Sequence, residues 1–191
     1  MNLKRCKWST KQKDSKEMIK YHDKEWGVPV HSDKKLFELL ILEGAQAGLS
    51  WSTIIKKRKD YKKAFYNFDF NRVSKMNSKD VSRLLKNTKI IRNKLKIKST
   101  INNAKHFIEI RKEFGTFNNY IWNFVNYKPI INKFKSIKQI PTETELSIKI
   151  SKDFKKRGFS FVGSKIIYAY MQAIGMVNDH TTNCFRYKQL K

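Results

Sequence analysis

The chain has 191 residues, with 42 Lys and Arg against 16 Asp and Glu and a formal net charge of +26. Two cysteines exclude a disulfide scaffold, and the longest apolar stretch, Leu36 to Leu42, is too short for a membrane span and is broken by Glu38. The leading Met-Asn-Leu-Lys-Arg-Cys-Lys-Trp lacks a signal-peptide core, so the expectation is a reduced, cytoplasmic, soluble and monomeric protein with no membrane partner. A surface this basic suits a polyanion such as DNA or RNA. The lysines are spread along the whole chain, however, and Lys, Asn and Ile are abundant together, a bias that AT-rich coding also produces. Charge therefore marks a class of partner and no site.

Only seven Gly and three Pro occur, and apolar residues recur at three- and four-residue spacing, which predicts an all-α fold. Ser32-Asp33 can cap a helix running through Lys34 to Glu43, and a second covers Trp51 to Phe65. Further helices are predicted over Asp80 to Lys86, Lys94 to Phe114, Asn118 to Phe124, Glu145 to Arg157 and Ser164 to Ile174. Pro129 and Pro141 fall in connections, and no segment reads as sheet. The length fits a single unit over 1–191, with a core near 32–175 and a terminal lobe made from 1–31 plus 176–191.

Leu36, Leu39, Leu40 and Glu43 follow i, i+3, i+4, i+7 spacing, so a carboxylate shares an apolar helix face. It must be hydrogen-bonded, raise its pKa, or face a cavity that something polar enters. Small residues follow in Gly44-Ala45-Gln46-Ala47-Gly48 before Trp51, so a flat ligand can stack beside the acid. On these residues alone the favoured reading is that Glu43 caps or bridges a neighbouring helix while Trp51 fills core. Tyr21 and Trp26 add aromatic surface near His22, whereas His31 and His106 have no matching partners.

Cys6 with His22, and His180-x-x-x-Cys184, offer four nitrogen and sulfur ligands from the two ends of the chain. That set suits a closed tetrahedral structural metal site, although spacing alone leaves a chance grouping open. Lys155-Lys156-Arg157-Gly158-Phe159-Ser160-Phe161-Val162-Gly163-Ser164-Lys165 joins two predicted helices through a glycine-bounded turn. The start of the second helix can present free N–H groups to a phosphate, and glycine also ends helices for purely structural reasons.

These segments together resemble the 3-methyladenine-DNA glycosylase I family, a branch of the helix-hairpin-helix DNA glycosylases. The resemblance rests on Cys6-Lys7-Trp8, Tyr21 through Pro29, Leu42 through Trp51, Ile90-Ile91-Arg92-Asn93-Lys94, Lys155 through Gly163 and Asn178-Asp179-His180. It implies one structural Zn2+ on Cys6, His22, His180 and Cys184, joining the terminal segments to a helix-hairpin-helix domain. It also implies a base pocket of Tyr21, Trp26, Glu43 and Trp51, with Glu43 catalytic, and DNA contacts from Gly158, Ser160, Gly163, Ser164 and Lys165. The implied reaction is monofunctional hydrolysis of the N-glycosidic bond of alkylated purines, chiefly 3-methyladenine, in double-stranded DNA. Asp179 is the competing catalytic candidate, more readily explained as orienting His180 or its turn. Met18 stands where relatives often carry a second pocket tyrosine, and Lys89 where many have glycine.

Overall fold

Leu36, Phe37, Leu39, Leu40, Ile41 and Leu42 are all at most 3% exposed, so helix α2 (Asp33–Gln46) is apolar on every side along its middle. A helix of that kind belongs inside a bundle, not on its surface. The computed structural model describes residues 3–10 and 16–191, and it is mostly helical, as the periodicity predicts. Around α2 pack α3 (Trp51–Ala64), α6 (Lys94–Phe114), α7 (Phe117–Asn123) and α9 (Ser164–Ala173). Short α4 (Phe70–Ser74) and α5 (Ser78–Lys86) lie against α6, and α8 (Glu145–Lys156) pairs with α9. α1 (Lys16–Lys24) and α10 (Phe185–Gln189), for which the sequence gave no expectation, flank the two ends.

Helix starts follow side-chain chemistry, with one correction. Ser50, Asn93 and Thr144 accept bonds from the first-turn amides of α3, α6 and α8. Ser32 makes no such bond at α2. Asp33 instead accepts from the Phe117 and Asn118 amides at 3.2 and 2.9 Å and from Arg111 Nε at 2.7 Å. It caps α7 across space, because two orphan amides and a guanidinium outbid a local turn.

The expectation of no sheet is also corrected. β1 (Ile130–Ile131) and β2 (Val177–Asn178) form a two-residue parallel pair, Ile130 opposite Val177. Two residues are too few for an alternating pattern to register in sequence. The pair ties the connection after Pro129 to the segment leading into His180. Among the described residues no helix is long and apolar enough to cross a membrane.

Behind β2 the chain turns at Gly175, φ +74°, where an added Cβ would overlap the Val28 carbonyl carbon and the Pro29 nitrogen. Gly48, φ +76°, has open space instead. Gly48→Ala is therefore expected to cost only the left-handed backbone penalty, about 1–2 kcal/mol. Gly175→Ala adds a backbone collision and is expected to cost at least about 3 kcal/mol. Denaturant unfolding of the two variants checks the order, and equal losses would contradict this packing.

Candidate active site

Residues from three elements close on a cavity of about 830 Å³. α1 contributes Tyr21 and Met18, the turn after it Trp26, α2 Glu43, and the start of α3 Trp51. Trp8 completes the aromatic wall, its ring 5.0 Å from Trp26 and 6.4 Å from Tyr21, while Tyr21 lies 5.3 Å from Trp51. The Cys6-Lys7-Trp8 motif by itself assigns Trp8 no role. Its membership of the wall depends on a long-range return of the N-terminal segment that no local pattern encodes. Tyr168, Gln172 and Lys165 of α9 line the opposite side.

Glu43 is 3% exposed, and its Oε2 has no hydrogen-bond partner. Burial pushes its pKa up to about 8, and no neighbouring cation acts against that rise. The Trp51 indole N–H is likewise buried without a partner. An acceptor and a donor left unpaired on one cavity is the pattern of a site waiting for a polar, flat occupant. A cation placed there would draw the Glu43 pKa back down. Burial and the Glu43 charge together hold the Tyr21 hydroxyl well above its ordinary range, so it stays protonated.

Cys6, His22, His180 and Cys184 come together as a buried group whose ligand atoms all lie within 4.8 Å of one another. Cys6 Sγ is 3.6 Å from His180 Nδ1, and Cys184 Sγ is 3.5 Å from both His180 Nδ1 and His22 Nε2. A tetrahedron with bonds of about 2.3 Å to sulfur and about 2.0 Å to nitrogen has S···N edges of about 3.5 Å. The donor set and its spacing therefore fit a metal ion. The remaining ring nitrogens are committed elsewhere: His22 Nδ1 to Asp23 at 2.7 Å, and His180 Nε2 to the Trp26 carbonyl at 3.0 Å. Those partners fix each ring with its other nitrogen facing the group. Arg5 in turn holds Asp23 through Nε and Nη2.

Asp179 does not support His180. Its fully buried carboxylate accepts from Asn132 at 2.6 Å, Tyr168 Oη at 2.6 Å and Gln172 at 2.7 Å. It stands behind the cavity wall and fixes two residues that line it. Three strong donors, two from α9 and one from the segment after β1, outcompete an imidazole already engaged by Trp26.

The turn between α8 and α9 is held from below. Asn103 exchanges two bonds of 2.9 Å with the Ser160 backbone, Asn102 donates to the Gly158 carbonyl at 2.7 Å, and Ser151 to the Val162 carbonyl at 2.6 Å. Gly158 has φ +87° over the His106 ring, where a side chain would collide. Gly163 forms the N-cap of α9 without a side-chain bond, and the Ser164 hydroxyl donates to Glu143. Among the described residues Lys165 is the one basic side chain on the cavity wall.

The raised Glu43 pKa has a stability consequence. Below its ordinary value of 4.5 the carboxyl is protonated in both folded and unfolded chains, so nothing changes with pH. Between there and about 8 only the unfolded chain loses the proton, so stability falls as pH rises, by about 1.4 kcal/mol per unit at most. Glu43→Gln removes that slope. Its melting temperature is expected to exceed the wild type by a margin that widens from pH 5 to pH 8, and a constant margin would contradict the buried, unpaired carboxylate.

Residues 8–187 match the family model described as methyladenine glycosylase. The DNA-3-methyladenine glycosylase of Haemophilus influenzae is 44% identical over 94% of this chain and 96% of its own length. A crystal structure of 3-methyladenine DNA glycosylase I superposes with a TM-score of 0.91 at 46% identity, covering 95% of this chain and 98% of that one. A variant of 3-methyladenine DNA glycosylase I in complex with 3-methyladenine superposes at 0.89 with 33% identity, over 93% and 95% of the two chains. The chain belongs to the methyladenine glycosylase family.

Proposed function

We propose that this enzyme carries out base-excision repair of alkylated DNA, hydrolysing the N-glycosidic bond of 3-methyladenine to release the free base and leave an abasic site. The observation that carries the reading is the buried Glu43 carboxylate, unpaired on a cavity walled by Tyr21, Trp26 and Trp51. Support comes from relatives named for this activity and from one solved in complex with 3-methyladenine.

Methylation at N3 places a positive charge on the purine, so the base leaves as a neutral molecule and needs little help from an acid. The chain's own residues then have three tasks. The aromatic walls stack on an extruded, electron-poor ring and favour it through cation–π attraction. Glu43 ionises against the cationic base and accepts its N–H groups, which an uncharged adenine does not repay. As the bond between N9 and C1′ lengthens, its electrons go to the base, and C1′ takes oxygen from water, whose proton passes to solvent. Asp179 acts indirectly, holding Tyr168 and Gln172 in the wall. Gly158, Ser160, Gly163, Ser164 and Lys165 form the DNA-facing hairpin, with Lys165 directed to a phosphate, since a cationic base would repel it.

Cys6, His22, His180 and Cys184 would hold one Zn2+ as a closed structural site. Bound there, it would brace the joined ends of the chain and supply no open position for chemistry. The His180 and His22 rings pack on Trp26 at 4.6 and 6.3 Å, so the metal group and the base wall share a side chain. Zinc removal is expected to lower the melting temperature and weaken base binding together. A metal-free preparation that melts unchanged with full activity would overturn the structural role.

Methylated duplex incubated with the purified protein is expected to release 3-methyladenine without strand cleavage. Because the substrate's charge is fixed and Glu43 must be ionised to receive it, kcat/KM should rise about tenfold per pH unit and level off near 8. Glu43→Gln should flatten the profile and lose most activity, whereas Asp179→Asn should lose less. Excision abolished by Asp179→Asn alone, with Glu43→Gln active, would move the catalytic assignment to Asp179.

A further inference from the structure

Lys96 is a buried lysine to which the reaction assigns no task. It is 9% exposed and sits in the first turn of α6, where no acidic residue offsets it. A cation at a helix N-terminus opposes the helix dipole, and burying an ammonium adds a desolvation cost. Two unfavourable placements at one residue call for a compensating contact. Its ammonium donates to the Ala45 carbonyl at 2.8 Å and to the Ala47 carbonyl at 2.6 Å. Burial alone displaces its pKa, downward, and no carboxylate opposes the shift.

Those carbonyls end α2, directly after Glu43. Of the four carbonyls from Gly44 to Ala47, Gly44 and Gln46 accept from the Ala47 and Leu49 amides at 3.4 and 2.6 Å. Lys96 takes the other two, so each of these four carbonyls has a donor. Every residue from Gln46 to Ser52 lines the cavity. This segment spans the gap between the Glu43 carboxylate and the Trp51 indole, the two unpaired polar groups of the site.

We infer that Lys96 is a positioning residue that locks the segment between Glu43 and Trp51 through the Ala45 and Ala47 carbonyls, setting the distance across which the methylated base is read. The inference rests on the proposed reading that this cavity takes the base. An apolar residue at position 96 would remove both placement costs and leave the buried Ala45 carbonyl and the part-buried Ala47 carbonyl without that donor.

Wild type, Lys96→Met and Lys96→Gln are compared in three measurements: binding of free 3-methyladenine by tryptophan quenching, release of 3-methyladenine from methylated duplex, and amide exchange at Ala47 and Leu49. Wild type is expected to protect both amides as strongly as mid-α2. Lys96→Met should bind the free base at least tenfold more weakly and lose that protection, with α8 and α9 unaffected. Lys96→Gln, which can still donate two hydrogens, should fall between. Wild-type binding by either folded variant, or fast exchange of those amides in the wild type itself, overturns the inference. The second outcome needs no variant to fold. Should the wild type protect the amides yet neither bind nor release 3-methyladenine, the base-cavity reading fails while the Lys96 lock stands.

Discussion

A carboxyl group withdrawn from water with no cation beside it governs the design of this molecule. Among the described residues no basic side chain offsets the burial of Glu43, although the protein carries a net charge of +26. The other buried acids are treated differently. Glu38, one turn before, is answered by Arg58 at 2.7 Å and Lys35 at 3.2 Å, and Asp179 by three donors. Glu43 is left as a deficit that a cationic ligand can cancel, and on the proposed reading selectivity for charged purines follows from that deficit. A pocket built around a matched ion pair would bind neutral adenine almost as well.

Keeping such a deficit requires a frame that does not relax to fill it. α2 supplies one by being buried on all sides, so Glu43 cannot rotate to solvent without dragging core residues with it. The Cys and His group supplies another. It draws the two ends together, with the Phe185 amide donating to the Lys4 carbonyl at 2.9 Å, and its imidazoles back the indoles that face the cavity. On the proposed reading the high overall charge has a different task, drawing the protein to DNA at long range.

Much of this was legible in sequence where a short pattern carried the signal. The i, i+3, i+4, i+7 spacing marked Glu43 as an acid on an apolar face, and α3, α6 and α8 started where Ser50, Asn93 and Thr144 could cap them. What escaped was decided across space. Asp33 looked like a cap for its own helix and caps α7. Asp179 neighbours His180 in the chain and serves Tyr168, Gln172 and Asn132 instead. The β1–β2 pair is too short to leave a periodicity. Trp8 joins the wall, and Lys96 reaches α2, only because distant segments fold back on one another. Side chains that answer a need on another element carry no local mark of it.

The most direct measurement of the central claim is the titration of Glu43 itself, by carbon NMR of glutamate labelled at the carboxyl, in the free protein and with 3-methyladenine bound. A midpoint near pH 8 is expected in the free protein, assigned by its loss in Glu43→Gln, with a clear fall when the base occupies the cavity. A midpoint near the ordinary 4.5, unmoved by the base, would contradict that claim.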